Sequence, residues 1–240
     1  MCDGRLLDKT FVKYQWLIPK EVTFNCGLFA LNTARMRIVG QQLACERGGR
    51  LVFAGLDFTA SAGRMLVLRG PNGAGKTSLL RLIAGLADPA GGTLSFEETS
   101  LPADTLLGEH VHFIAHQDAI KLHLSVVENL SFWSGFFGGG DVAGAMTAMN
   151  LDALGQFQAQ RLSAGQKRRL GLARLALVEK PVWLLDEPTV GLDTASQKLL
   201  ADMMTRHLES GGIIIASTHI DLPVKSSDVL DFAKLAERAE

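Results

Sequence analysis

The segment Gly70-Pro-Asn-Gly-Ala-Gly-Lys-Thr77 constrains the fold of this chain more than any other feature. It fits the pattern GxxxxGK[ST] and stands between an apolar run at 65–68 and a helical pattern at 78–84. Glycines let the main chain approach phosphate oxygens closely, and the start of a helix directs N–H groups at an anion. The segment therefore predicts a nucleotide phosphate site formed by Gly70, Pro71, Asn72, Gly73, Ala74, Gly75, Lys76, Thr77 and Ser78.

Four side chains in and beyond this loop indicate nucleotide hydrolysis. Lys76 is placed to reach the β- and γ-phosphates, and Thr77 to offer its hydroxyl to Mg²⁺. A second apolar run, 182–185, ends in Asp186 and Glu187. Asp186 is placed to hold the Mg²⁺ shell. Glu187 lies one residue further and is placed to polarise a water molecule aimed at the γ-phosphate.

Strand and helix patterns alternate along most of the chain, which predicts an α/β fold with a parallel sheet. Apolar runs and alternating patterns predict strands at 36–45, 51–60, 65–68, 93–96, 111–115, 182–185 and 213–216. Periodicity and capping residues predict helices at 78–84, 125–133, 141–149, 163–178 and 194–208. The 240 residues allow one domain or two small ones.

Composition excludes several functions. The net charge of −1 gives no reason to expect nucleic acid as a partner. No apolar run approaches the about 18 residues of a membrane-spanning helix, so we expect a cytoplasmic protein whose membrane role depends on a partner. His110 and His112 fall on one face of a predicted strand, which suggests a metal site as an alternative.

The segment Leu162-Ser-Ala-Gly-Gln166 resembles the LSGGQ signature of the ATP-binding cassette (ABC) ATPases, with one Ala in place of Gly. The resemblance covers about residues 36–220. It implies a P-loop ABC cassette with a parallel-sheet core, an N-terminal antiparallel β-subdomain and an inserted helical subdomain at about 118–162. We expect the ABC domain at 36–225 and a C-terminal tail at 226–240. Residues 1–35 match nothing in the family and are expected to be an extension or an overlong start.

The resemblance also assigns roles to single residues. It implies that Gln117 senses Mg²⁺ and the attacking water, and that His219 contacts the γ-phosphate. It implies that Asp193 reaches across a dimer, in which a second copy of the chain closes on the ATP held by the P-loop. The closing residues are Ser163, Gly165 and Gln166. ATP and Mg²⁺ are thus the implied cofactors.

The adenine contact departs from the family pattern. Arg47 stands where the family usually has an aromatic residue that stacks on adenine. A guanidinium plane is able to stack on a base. Alternatively, adenine is held by apolar contact, with Phe53 as the candidate.

Four segments together resemble the CcmA group of the family, the ATP-binding subunits of cytochrome c maturation. They are 44–50, 116–121, 128–133 and 162–169. This resemblance implies membrane subunits of the CcmB and CcmC type, an indirect role for the haem chaperone CcmE, and a place on the cytoplasmic face of the inner membrane. The alternatives are the ATPase of another small-molecule exporter, a soluble non-transport ABC ATPase, or a regulatory module without turnover.

Residues 118–137 are rich in apolar side chains. They are expected to divide between the core of the helical subdomain and a groove for a helix of the membrane partner. The residues in question are Ile120, Leu122, Leu124, Phe132, Trp133, Phe136 and Phe137.

Overall fold

A computed structural model describes residues 36–97, 110–219, 222, 224 and 227–233. The predicted extension at 1–35 and the last seven residues of the predicted tail lie outside the described residues. Along the described chain, the strands are β1 (Arg37–Arg47), β2 (Arg50–Ser61), β3 (Met65–Arg69), β4 (Gly91–Glu97), β5 (Val111–Ile114), β6 (Val182–Asp186), β7 (Ile213–Ser217) and β8 (Ser227–Asp231). The helices are α1 (Lys76–Ile83), α2 (Val126–Phe136), α3 (Val142–Ala148), α4 (Ala164–Ala173) and α5 (Thr194–Glu209).

Three strands form an antiparallel sheet in the order β2-β1-β4. A bulge in β1 at Gln42 interrupts the pairing with both neighbours. Gln42 has a left-handed backbone (φ 49°), and its main-chain N and its Nε2 each donate to the Asp57 carboxylate at 2.7 Å. The carboxylate therefore pairs with an N–H group that the strand ladder leaves unpaired at the bulge.

The other strands form a parallel sheet in the order β5-β6-β7-β3-β8. Every residue of β6 and β7 is buried, as expected for parallel strands that are covered on both faces. Alternate residues of these strands pack into two separate apolar clusters. Ile213 and Ile215 join α1 and the antiparallel sheet, whereas Ile214 and Ala216 join the helices α2, α4 and α5. Because all strands run in one direction, the loops after β3, β5, β6 and β7 meet at one edge.

Helices α2 to α5 begin within one residue of the predicted start, whereas α1 begins at Lys76, two residues before the predicted start. Ser125 and Glu128 form a capping box before α2, and Asp141 caps α3 by accepting a hydrogen bond from Gly144 N. The predicted helix at 163–178 is too long. α4 ends at Ala173 and continues as a 3₁₀ turn, Arg174–Ala176.

Two further expectations differ from the structure. The sequence pattern assigns no strand to 226–240, yet β8 pairs in parallel with β3 along its whole length. The suggested histidine metal site is wrong. His112 is buried with Nε2 3.0 Å from the Val178 carbonyl oxygen, and His110 stacks against Phe96. Within the described residues, no cluster of His, Cys, Asp and Glu is arranged to hold a metal ion.

No helix in the described part of the chain is both long and apolar enough to span a membrane.

Two histidines, His112 on β5 and His207 on α5, make stability depend on pH. Burial lowers the pKa of His112 to about 4, and burial also lowers the pKa of His207, which stacks flat on Trp183 at 4.0 Å, to about 4. In the unfolded chain both titrate near 6.5, so below that pH the unfolded state binds more protons than the folded state. We expect the free energy of unfolding to fall as the pH falls, by roughly 2 kcal/mol per histidine between pH 7 and pH 5.

Urea unfolding followed by circular dichroism across this pH range measures the slope. His112→Asn and His207→Asn should each reduce it, whereas His123→Gln, at an exposed position, should leave it unchanged. An equal slope in wild type and both variants contradicts the assignment.

Candidate nucleotide-binding site

The side chain of Lys76, the first residue of α1, folds back over the loop between β3 and α1. Lys76 is buried, and its Nζ donates to the carbonyl oxygens of Gly70 at 2.7 Å and Pro71 at 3.0 Å. Gly75, which precedes α1, has φ 106°, and a Cβ there would lie 2.7 Å from the Phe53 ring. Only glycine fits this position, because both the backbone conformation and the close ring exclude a side chain.

Asp186 joins the end of β7 to the first turn of α1. Its Oδ2 accepts a hydrogen bond from Thr77 Oγ1 at 2.9 Å, and its Oδ1 accepts one from Ser217 Oγ at 2.6 Å. Asp186 ends β6 and Ser217 ends the neighbouring β7, whereas Thr77 is the second residue of α1, the helix that follows the P-loop. The carboxylate is buried but paired on both oxygens, as a buried charge requires.

Glu187 lies beside Asp186 in a rarely populated backbone conformation. Its φ of 48° lies in the left-handed region, which few residues other than glycine adopt. Its main-chain N donates to Ser217 at both the carbonyl oxygen (3.1 Å) and Oγ (3.2 Å). This conformation turns the Glu187 side chain out of the strand, and it stays 18% exposed.

His219 contacts both the P-loop and Glu187. Its Nε2 lies 3.1 Å from Asn72 Oδ1 and 3.3 Å from Glu187 Oε1. Since both partners are acceptors, Nε2 carries the proton that it donates. The imidazole is about half exposed, with 52% of its side-chain surface accessible.

The signature residues form the start of α4. Ser163 and Gln166 make a capping box, in which Gln166 N donates to Ser163 Oγ and Ser163 N donates to Gln166 Oε1. Gly165 packs against the turn before α5, where a Cβ would lie 3.0 Å from the Gly191 carbonyl oxygen. Asp193 caps α5, and its hydrogen bonds with Ser196 hold the pKa of its carboxyl below the usual range.

The structure therefore brings the predicted residues together in two groups. One group surrounds the P-loop and comprises Lys76, Thr77, Asp186, Glu187 and His219. The other comprises Ser163, Gly165, Gln166 and Asp193. Among the described residues, no hydrogen bond or ion pair joins the second group to the P-loop. Gln117 is exposed three residues after β5, which neighbours β6.

The candidate adenine contacts lie near the beginning of α1. Phe53 packs on Gly75 and forms an edge contact with Phe232. Arg47 is exposed at the end of β1 and interacts electrostatically with the Cys45 thiol. The same thiol forms a hydrogen bond with the Ser78 side chain. Burial raises the pKa of the Cys45 thiol, although Ser78 and Arg47 oppose the effect.

Sequence reasoning missed two residues of the site. Ser217 follows an apolar run and looks like an ordinary strand end. Arg168 lies in the basic segment after the signature, where its side chain donates to residues of two other loops. Neither carries a motif of its own, because their partners are distant in the sequence.

Comparison with known proteins identifies the family. A family profile described as ABC transporter matches residues 53–190. The cytochrome c biogenesis ATP-binding export protein CcmA of Rhodopseudomonas palustris is 50% identical over 196 residues, which cover 81% of this chain and 97% of the relative. The protein of the same name from Bradyrhizobium diazoefficiens has the same identity and coverage. That from Rhodobacter capsulatus is 48% identical, covering 82% of this chain and 87% of the relative.

Solved structures support the fold. An ATP-binding subunit of an ABC transporter superposes with a TM-score of 0.70 at 23% identity, covering 81% of this chain and 86% of that chain. A protein from Pyrococcus furiosus described as an ABC transporter ATP-binding protein superposes with a TM-score of 0.69 at 23% identity, covering 83% and 98%. The predicted P-loop cassette fold is confirmed. The chain therefore belongs to the ABC transporter family and, within it, to the group of cytochrome c biogenesis ATP-binding export proteins.

Proposed function

We propose that this chain is the ATP-hydrolysing subunit of an export complex that powers haem delivery for periplasmic c-type cytochrome assembly. The observation that carries the proposal is the edge of the parallel sheet where Lys76, Asp186, Glu187 and His219 meet. The relatives named for cytochrome c biogenesis match this chain over 97% of their own length. Because the match covers nearly the whole length of these relatives, it supports a role in cytochrome c biogenesis for this chain as well.

ATP binds with its phosphates in the loop of residues 70–78. The main-chain N–H groups at the start of α1 and the Lys76 ammonium group neutralise the phosphate charge. Lys76 now donates to two carbonyl oxygens of its own loop, and it exchanges these for phosphate oxygens. The adenine lies against the apolar side chain of Phe53, or stacks on the guanidinium of Arg47.

The residues present fit a Mg²⁺ ion. Thr77 and Asp186 already lie within hydrogen-bond distance of each other and offer the hard oxygen ligands that Mg²⁺ takes, with Gln117 as a third candidate. When bound, the ion would neutralise phosphate charge. Ser217 holds the second oxygen of Asp186, so the carboxylate stays oriented toward Thr77.

Glu187 is the general base of hydrolysis. Its carboxylate takes the proton of the water that attacks the γ-phosphate. His219 donates a hydrogen bond from Nε2 to Glu187 Oε1 and lies beside Asn72 of the P-loop. The imidazole is thereby placed to contact the γ-phosphate once ATP fills the loop.

Two copies of the chain bind two ATP molecules between them. The N–H groups at the start of α4, together with Ser163, form an anion site that closes on the γ-phosphate held by the other copy. Gly165, Gln166 and Asp193 lie next to this site. Hydrolysis removes the charge that bridges the two copies, and they separate.

The membrane partners are polytopic subunits of the CcmB and CcmC type, and the haem chaperone CcmE acts downstream. The complex lies on the cytoplasmic face of the inner membrane and uses no nucleic acid. Most of the apolar residues at 118–137 are at least partly buried. Phe136 and Leu122 are the exposed exceptions, at 61% and 47%. Phe136 packs edge-on against Trp133, which in turn lies over Arg174. This aromatic corner is the proposed contact for a partner helix.

Replacing Glu187 by Gln should separate ATP binding from hydrolysis. The amide keeps the size of the side chain but accepts no proton, so we expect turnover to fall at least about 100-fold. ATP binding should persist, and an ATP-bound dimer should accumulate, as measured by phosphate release and size-exclusion chromatography. Glu209→Gln, at an exposed position in α5, is the matched control. Full turnover in the Glu187 variant removes this residue as the base.

A charge at Phe136 tests the membrane contact. Phe136→Glu should leave ATP binding by the purified chain intact but reduce its co-purification with co-expressed CcmB- and CcmC-type subunits, because the carboxylate must be desolvated. Leu86→Glu, at a similarly exposed apolar residue after α1, should not reduce it. Equal co-purification of both variants rejects the assignment. No co-purification of the wild type favours a soluble ABC ATPase.

A further inference from the structure

One buried arginine on α4 holds two of the loops at the catalytic edge. Arg168 lies five residues after the signature serine and is only 4% exposed. Its guanidinium donates to oxygen atoms that follow β6 and to others that follow β5. A buried guanidinium needs such partners, because it cannot give up its charge.

The first set of contacts is to the main chain around Glu187. Arg168 Nη2 donates to the carbonyl oxygens of Glu187 at 2.8 Å and Asp186 at 3.2 Å, and Nε donates to that of Pro188 at 3.4 Å. Ser217 holds the N–H group of Glu187 from the opposite side. The left-handed backbone of Glu187 is thus fixed at both its N–H and its C=O group.

The second set of contacts is to the loop after β5. Arg168 Nη1 donates to the carbonyl oxygen of Ala115 at 3.1 Å and to Asp118 Oδ1 at 2.7 Å. Both partners of this ion pair are mostly buried, with side-chain exposures of 5% and 19%. Gln117 lies between the two anchored residues, so the same guanidinium fixes the loop that carries it.

Gly171 makes room for this ion pair. A Cβ at Gly171 would lie 2.5 Å from Asp118 Oδ1, and the position is inside α4. Glycine inside a helix usually destabilises it relative to alanine. Here the missing side chain allows the Asp118 carboxylate to lie against the helix.

We infer that Arg168, oriented by Asp118, is a positioning residue for the Glu187 carboxylate and for Gln117. It links the helix that begins with the signature to the group that activates water. The inference rests on the proposed role of Glu187 in ATP hydrolysis. Arg168 does not contact the P-loop residues that bind phosphate, so its loss should affect the rate of hydrolysis more than the affinity for ATP.

Two variants of the full chain test the inference by different routes. Arg168→Lys keeps the charge, but a single ammonium group cannot span five oxygen atoms in two loops. Gly171→Ala leaves Arg168 in place and displaces the Asp118 carboxylate. The matched control is Arg169→Lys, since within the described part of the chain the hydrogen bonds of Arg169 go to the Met149 and Asn150 carbonyl oxygens and to neither of these loops. For each folded protein, phosphate release gives kcat and KM, and equilibrium titration gives ATP affinity.

We expect kcat to fall about 10- to 100-fold in both test variants, with KM and ATP affinity within about threefold of wild type and the control unchanged. A kcat within about twofold of wild type in Gly171→Ala, or equal losses in Arg168→Lys and Arg169→Lys, overturns the inference. Glu187→Gln is measured alongside. If it retains turnover, the proposed base has failed. If Glu187→Gln loses turnover but Arg168→Lys and Gly171→Ala do not, the positioning role of Arg168 has failed and the proposed role of Glu187 stands.

Discussion

The rest of the site depends on the hydrogen-bonded chain from Thr77 through Asp186 to Ser217. Asp186 and Ser217 end β6 and β7, and Thr77 lies in the first turn of α1, so one buried carboxylate joins two strand ends to the helix that follows the P-loop. Its charge is stable in the interior because both oxygens accept hydrogen bonds. The P-loop follows β3, Glu187 follows Asp186 at the end of β6, and His219 follows β7, so all three lie beside these hydrogen bonds.

The sequence predicts the parts of the fold in which local pattern and chemistry agree. The apolar runs of β3, β6 and β7, the glycine-rich loop and the capping box of Ser125 and Glu128 depend on neighbouring residues, and the structure has them where they are predicted. β8 escapes prediction because its residues are largely exposed and its partner among the described strands, β3, is distant in the chain. Arg168 escapes for a related reason. Its position reads as one of several basic residues on a helix, and only the folded chain shows which oxygen atoms surround it.

The proposed base is one of three described residues other than glycine with a left-handed backbone, the others being Gln42 and Asn150. A left-handed conformation at a residue other than glycine costs of order 1–2 kcal/mol, and surrounding contacts must offset the cost. At Glu187 those contacts come from β7 on one side and α4 on the other. The two sides belong to elements that carry different functional residues, so the orientation of Glu187 depends on both at once.

The position of β8 has a consequence for the synthesis of the chain. β3, the strand that leads into the P-loop, pairs with β7 on one side and β8 on the other. Both partners are translated long after β3, and β8 is translated last. While the ribosome is still making β8, the edge of β3 that faces away from β7 has no hydrogen-bonding partner among the described strands. Exposed edges of this kind promote pairing with other chains. A nascent or truncated product that ends before residue 227 therefore presents the strand that leads into the P-loop with one edge open to pairing with other chains.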